Sequence, residues 1–419
     1  MNGRWPRLSR TTSFDPVLIV VVLTLTLLGI AMVYSASGIR ALDTLDDPRY
    51  YLTWQAIWAA IGLAGMLVAM RVDYHRYRYI AVPLLLIVFV LLALVLVPGI
   101  GVRSGGATRW LRWGPVGLQP AELAKLALIV YLAAWFGGRR DQVTRVSVML
   151  PAVIVTVALG ALVVAEPDLG TAIVVVAIAM TMYFVAGARL RVFTALAGLA
   201  GVVVVAVAIA QPYRLQRLLT FLDPWSDPRG DGFQTIQSLY GLALGGLFGE
   251  GLGAGREKFG FLPAPYTDSI FAVLGDELGL LGTLTVIVLF FALAYRGIRI
   301  ALQARDATGA LLAAGITTWL VFQAWVNMAV VASLVPMTGI TLPFISYGGS
   351  SLCVGLISVG ILLNVGREAR TAPESVSRAP GRGRDGRAHQ PASRDRRGAP
   401  RDRSRGAAPL HRWTSRQRG

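Results

Sequence analysis

Apolar residues run in blocks of about twenty along most of the chain, separated by short polar stretches rather than alternating with them. A helix that crosses a bilayer needs about 20 largely apolar residues. Ten blocks meet that length, at 15–36, 52–70, 79–98, 120–137, 147–165, 169–187, 192–211, 269–295, 308–332 and 347–366. The pattern predicts an all-α polytopic membrane protein of about ten transmembrane helices, with one large outer loop, 212–268, between the seventh and eighth. A short N-terminal segment, 1–14, precedes this membrane domain, 15–366, and a tail, 367–419, follows it. The first block follows arginines and ends in "YSAS", which is also the outline of a cleaved leader. Nine further spans behind it favour a retained first helix.

Composition agrees: 55 % hydrophobic residues and a mean hydropathy of +0.59 exclude an ordinary soluble globular chain. The single cysteine, Cys353, falls in the last block, so no disulfide framework is expected.

Basic residues in short loops set orientation. Arg4, Arg7 and Arg10 precede the first span. Arg71, Arg76 and Arg78 follow the second, Arg139, Arg140 and Arg145 the fourth, Arg189 and Arg191 the sixth, and Arg296, Arg299 and Arg305 the eighth. Every even-numbered exit is basic, so both termini are expected in the cytoplasm. The tail holds 15 arginines against five acidic residues, +10 of the chain's +17, with few large apolar residues, so it is expected to be disordered. Attraction to an anionic inner leaflet, about 1 kcal/mol per basic residue, explains this charge more simply than nucleic acid, which is not expected as a partner.

Two outer segments break the charge rule. The loop 99–119, "GIGVRSGGATRWLRWGPVGLQ", carries Arg103, Arg109 and Arg112, and the loop 212–268 carries Arg214, Arg217, Arg229, Arg256 and Lys258 among acidic residues. They either solvate large loops or bind an anion. The Gly-rich apolar stretch "LYGLALGGLFGEGLGAG" in the second loop suits a re-entrant or interfacial helix. Lysine is rare: only Lys125 and Lys258 stand against 38 arginines. Lys125 lies three residues after Glu122 inside the fourth span, on the same helix face, so the two are expected to pair. Ionisable groups inside a membrane are functional candidates, with a packing ion pair as the alternative.

Five stretches carry a resemblance: "LQPAELAK" (118–125), "EPDLGT" (166–171), "GFQTIQSLYGLALGGLFGEGLGAG" (232–255), "LPAPYTDSIFAVLGDELGLLG" (262–282) and "GITLPFISYGGSS" (339–351). In this order, over about 14–366, the chain resembles the SEDS family of bacterial shape, elongation, division and sporulation proteins. "VAGARL" and "GLGAGREKFGFLP" look closer to its division and spore-cortex members, FtsW and SpoVE, than to the elongation member. The resemblance implies a peptidoglycan glycosyltransferase in the bacterial cytoplasmic membrane that polymerises lipid II into glycan strands at the outer face. It implies a class B penicillin-binding protein, a transpeptidase, as partner, with other divisome proteins. A lipid II flippase and a non-catalytic scaffold are the competing classes.

The family's motif aspartate corresponds to Asp268, the expected catalytic residue. This chain departs from the motif at Ala264 (usually Glu), Tyr266 (usually His) and Gly260 (acidic in some members), with Glu257 nearby as a substitute; a lysine of some division members is Thr338 here. Extending a glycan needs a base for the attacking sugar hydroxyl. The lipid diphosphate leaving group is already a stable anion and needs cations rather than an acid. Candidate substrate-binding residues are Arg109, Trp110, Glu122, Lys125, Asp168, Arg214, Lys258, Thr267 and Ser350. Asp268 has an alternative role as a helix cap. Asp276 and Glu277, deeper in the same span, are read as packing or cavity lining. Glu166 and Asp168 are expected to touch substrate or to cap the sixth helix, and Pro343, Gly348 and Gly349 to shape the entrance to the last one, with Ser350 and Ser351 lining the same cavity. No metal ligands are assigned, and a divalent cation, Mg or Mn, is left open as a cofactor.

Overall fold

The computed structural model describes residues 14–104, 107–114, 116–255, 262–263 and 265–371. Arg4, Arg7, Arg10, Arg256, Glu257, Lys258, Gly260, Ala264 and the tail beyond Thr371 lie outside the described residues.

Among the described residues, ten helices are long and apolar enough to cross a membrane. These are α1 (Pro16–Leu45), α2 (Tyr50–Ala69), α3 (Tyr77–Leu96), α4 (Pro120–Gly137), α5 (Val146–Ala165), α6 (Leu169–Ala186), α7 (Leu190–Ile209), α10 (Ile270–Gln303), α11 (Ala307–Val331) and α12 (Gly349–Thr371). Two shorter helices, α8 (Pro212–Leu222) and α9 (Phe233–Leu244), lie in the long loop. The chain is a multi-pass membrane protein. Helices α4, α11 and α12 are mostly buried and form the centre, whereas none of α7 is. That contrast follows composition, because α4, α11 and α12 place polar residues against protein and α7 carries only lipid-compatible side chains between its ends.

One element departs from an all-helical reading. Residues 101–118 form a three-stranded antiparallel sheet of β1 (Gly101–Ser104), β2 (Ala107–Trp113) and β3 (Val116–Leu118). Gly114, which follows β2, adopts φ 59°, where glycine is favoured. This sheet shares one end of the bundle with α8 and α9, called the sheet end below.

Helix α10 is broken. Gly279 adopts φ 64° and ψ −161°, a conformation natural only to glycine. The Gly-rich turn after α9 supplies the missing partners. Glu250 N donates to Asp276 O at 3.0 Å and Gly251 N to Glu277 O at 3.0 Å, while Leu280 N donates to Gly246 O at 2.9 Å. Helix covers only the start of the Gly-rich stretch, up to Leu244, and the turn beyond it pairs its backbone with the break in α10.

At the opposite end, Asp15 caps α1 by accepting from Leu18 N at 3.2 Å and also accepts from Arg296 and, at 2.8 Å, from Arg370. Helix α12 therefore continues past the expected end at 366, because its last turn is anchored to the start of the bundle.

Candidate functional site

Asp268 precedes α10 at the sheet end and is partly exposed. It does not cap the helix, whose N-cap position is Ser269 and has no side-chain cap. Its Oδ1 accepts from Thr267 Oγ1 at 2.6 Å. The backbone beneath is stitched to the loop that precedes α12. Asn327 Nδ2, on α11, donates to Asp268 O and to Ile340 O, both at 2.8 Å. Ser346 Oγ donates to Thr267 O at 2.6 Å while accepting from Leu342 N at 2.8 Å, and Tyr347 N donates to Tyr266 O at 2.8 Å. The carboxylate is thus presented from a backbone fixed at three consecutive residues.

A cation faces it. A Cβ built on Gly339 would lie 3.9 Å from Arg109 Nη1 and 3.9 Å from Asp268 Oδ2. Arg109 comes from β2 and donates through Nε to Glu166 O at 3.3 Å and through Nη2 to Pro167 O. Its Nη1 lies 3.9 Å from Asp168 Oδ2. Asp168 caps α6 by accepting from Thr171 N at 3.0 Å and accepts from Gln119 Nε2 at 3.3 Å. It therefore both caps and orients Arg109. Gln119 N in turn donates to Ser350 Oγ at 3.3 Å, closing a ring of contacts around the entrance to α12.

A second polar chain runs inward. Lys125 Nζ donates to Glu122 Oε1 at 2.8 Å, as expected, and to Gln323 Oε1 at 2.7 Å. Its ammonium also lies 4.9 Å from the Trp319 ring centre. Gln323 Nε2 donates to Thr341 O at 2.9 Å, and Thr341 Oγ1 is 3.4 Å from Ser351 Oγ. Lys125 and Glu122 are buried behind the loop, so their geometry fits support of the 339–351 loop.

The other described residues singled out by the sequence make different contacts. Trp110 packs on β3, 3.3 Å from the place a Gly117 Cβ would take. Arg214 donates to Val207 O and Val164 O, both at 3.2 Å, and so caps the ends of α7 and α5. Asp276 and Glu277 are fully buried, and Glu277 Oε1 accepts from Ser35 Oγ at 2.6 Å. Glu166 is fully buried with neither carboxyl oxygen hydrogen-bonded. Burial, with Asp168 alongside, pushes its carboxyl up to about 8 against the pull of Arg109. Burial and Tyr51 hold the Tyr266 phenol above its usual value, so it does not replace a titrating histidine.

Sequence reasoning missed Asn327, Gln323, Ser346 and Gln119. "FQAWVNM" held the signal: Gln323 and Asn327 stand four apart, on one face of an otherwise apolar span.

Fold and site define a polytopic membrane protein with a polar carboxylate–arginine site at one membrane face. The family model described as "Cell cycle protein", covering FtsW, RodA and SpoVE, matches residues 15–371, and the chain belongs to this family. It is 44 % identical over 365 residues to a probable peptidoglycan glycosyltransferase FtsW of Trichlorobacter lovleyi, covering 87 % of this chain and 96 % of that one. It is also 44 % identical to stage V sporulation protein E of Bacillus subtilis, covering 86 % of this chain and 99 % of the relative. Among solved structures, a chain described in work on the coordination of polymerization and crosslinking by a peptidoglycan synthase complex superposes with a TM-score of 0.69. The two are 33 % identical, over 86 % of this chain and 99 % of that one.

Proposed function

We propose that this protein is a peptidoglycan glycosyltransferase of the FtsW type, polymerising lipid II at the outer face of the bacterial cytoplasmic membrane during cell division. The observation that carries the reading is Asp268, held on a fixed backbone and facing Arg109 across the open space at Gly339. Asp268 is the base: it takes the proton from the attacking sugar hydroxyl as oxygen bonds the anomeric carbon. The bond from that carbon to the lipid diphosphate breaks, and its electron pair leaves on the diphosphate. Among the described residues, Arg109, with Asp168 alongside, borders the same space as Asp268 and is the cation assigned to that developing charge.

The sheet end is then the outer face. Ten spans put both termini on one side, and the basic even-numbered exits make that side the cytoplasm. Partners in this reading are lipid II, the growing strand, a class B penicillin-binding protein and other division proteins; the solved relative's synthase complex supports the pairing of polymerisation with crosslinking. Mg²⁺ or Mn²⁺ would take Asp268 and substrate phosphate oxygens as donors, the kind of set these ions prefer, and would supply further charge neutralisation.

The broken α10 favours one second reading, a lipid II flippase, because transporters use interrupted helices. Purified protein with its transpeptidase partner, given lipid II in detergent, separates them, since detergent abolishes membrane sides. Long glycan strands are expected. Tight lipid II binding without polymer under varied divalent ions replaces the enzyme with a flippase or a scaffold.

A further inference from the structure

Residues 265–269 form the turn before α10 that carries Asp268. The anchors from α11 and from the loop before α12 hold its main chain. Helix α2 holds it through a side chain. The Tyr266 ring lies against Tyr51 of α2, with ring centres 4.6 Å apart and planes inclined by 34°. Its hydroxyl donates to Tyr51 Oη at 3.3 Å. Tyr347, whose N–H holds Tyr266 O, meets both rings edge-on, at 5.0 Å from Tyr51 and 5.9 Å from Tyr266. These separations are the ones that aromatic pairs prefer. Arg40 of α1 brings a guanidinium 5.9 Å from the Tyr266 ring centre.

Tyr51 belongs to a face of α2 turned to this region along several turns. Gln55 is fully buried and donates from Nε2 to Ser346 O at 3.2 Å. Ser346 is the residue whose hydroxyl holds Thr267 O. A Cβ built on Gly349, at the start of α12, would collide with the Trp58 ring. Positions 51, 55 and 58 are spaced by four and then three, so they share one helix face. A site keeps its geometry when packed neighbours lock the residues that present it. That matters here, because a general base must stand within hydrogen-bond reach of the hydroxyl it deprotonates.

We infer that Tyr51 and Tyr266 are positioning residues for Asp268: their packed rings hold the turn on α2 and set where the carboxylate stands across the open space at Gly339 from Arg109. The assignment rests on the functional reading above and adds two residues to it. Neither ring touches the reacting atoms, so their loss costs rate and spares substrate affinity.

The test is lipid II polymerisation by the full-length protein with its transpeptidase partner in detergent, with kcat and KM measured separately. Tyr51→Leu and Tyr266→Leu should each lower kcat by about tenfold to a hundredfold, as misplacement of a reacting group does, with KM within about twofold of wild type. Tyr266→Phe keeps the ring and loses one long hydroxyl contact, so its kcat should return to within about threefold of wild type. The double leucine variant should be no slower than the worse single one, because the two rings act as a unit. Asp15→Ala, which loosens the opposite end of the bundle, should keep the wild-type kcat and so separates positioning from a general loss of stability. Melting temperatures report the fold, and Tyr266→Met carries the test if Tyr266→Leu unfolds. A folded Tyr266→Leu with wild-type kcat overturns the assignment and leaves the enzyme reading intact. A raised KM at unchanged kcat overturns it too, since the rings would then bind substrate themselves. A wild type that makes no polymer overturns the enzyme reading and this assignment with it.

Discussion

Arg109 and Asp268 border one open space: the position of a Gly339 Cβ is equidistant, at 3.9 Å, from the guanidinium Nη1 and the carboxylate Oδ2. Gly339 has φ +70°, where side chains are strained. The glycine therefore serves the turn and keeps the gap between base and cation empty.

Gly339→Ala and Gly339→Val separate those two effects. Both carry the backbone cost, roughly 1–2 kcal/mol, read as a similar drop in melting temperature. The alanine methyl meets only ordinary contacts and should keep measurable polymerisation. Valine fills the gap, and its rate should fall a further hundredfold or so, as misplacement of reacting groups does. A valine variant as active as the alanine one would place the reacting centre elsewhere.

Asp268→Asn should abolish polymerisation while lipid II binding and the melting temperature stay close to wild type. The anchors from Asn327 and Ser346 hold main-chain oxygens and do not sense the swap. Losing a general base costs typically ~10²–10⁴-fold in rate. Asp276→Asn should retain substantial activity and lose stability instead, because Asp276 is fully buried beside the break in α10. The reverse ranking in a lipid II polymerisation assay would show that the wrong carboxylate has been chosen.

The ten spans were legible because a bilayer imposes one length and one polarity on every crossing. The Glu122–Lys125 pair was legible too, since helical spacing alone brings the two side chains together. The sheet was not. Its residues read as a cationic loop, and the Gly-Gly and Gly-Pro pairs in the sequence "VRSGGATRWLRWGPVGL" were outweighed by the arginines between them. The supports of Asp268 were hidden for another reason: Asn327 and Ser346 lie 59 and 78 residues away along the chain, and only tertiary packing brings them beneath it. Asp168 stood for two roles in sequence, and the geometry shows one of them, the cap of α6, with Arg109 alongside.

Glu166 predicts a pH dependence. Its carboxyl is pushed up from 4.5 to about 8 in the folded chain. Between those values the folded state holds a proton that the unfolded state has released, so stability falls as pH rises through this window and levels off above it. Glu166→Gln removes the proton from the balance and keeps the shape. Melting temperatures should therefore show the variant gaining on the wild type from pH 5 to pH 8, with no further gain above. A constant difference across that range would mean that Glu166 is ionised in the folded protein.

The tail and the helix before it should behave oppositely on deletion. Residues 372–419 are rich in arginine, glycine and proline and poor in large apolar side chains, a composition that builds no site. Ending the chain after Thr371 should leave lipid II polymerisation in detergent at the wild-type rate and alter only localisation or partner recruitment in cells. The cut must not move inward. Arg370 donates to Asp15 Oδ2 at 2.8 Å, and Arg296 shares that oxygen, so ending at Gly366 breaks a carboxylate bridge joining the first and last helices. Asp15→Ala tests the same bridge without truncation. It removes the α1 cap, worth about 1 kcal/mol, and strands two arginines. Both are partly solvated, with exposures of 25 % and 35 %, so the total loss is about 2 kcal/mol rather than the ~3–5 kcal/mol of a fully buried pair. The melting temperature of Asp15→Ala should fall while the chain ended after Thr371 melts as wild type does. A truncated protein that folds but no longer polymerises lipid II would give the tail a part in catalysis and contradict this division of labour.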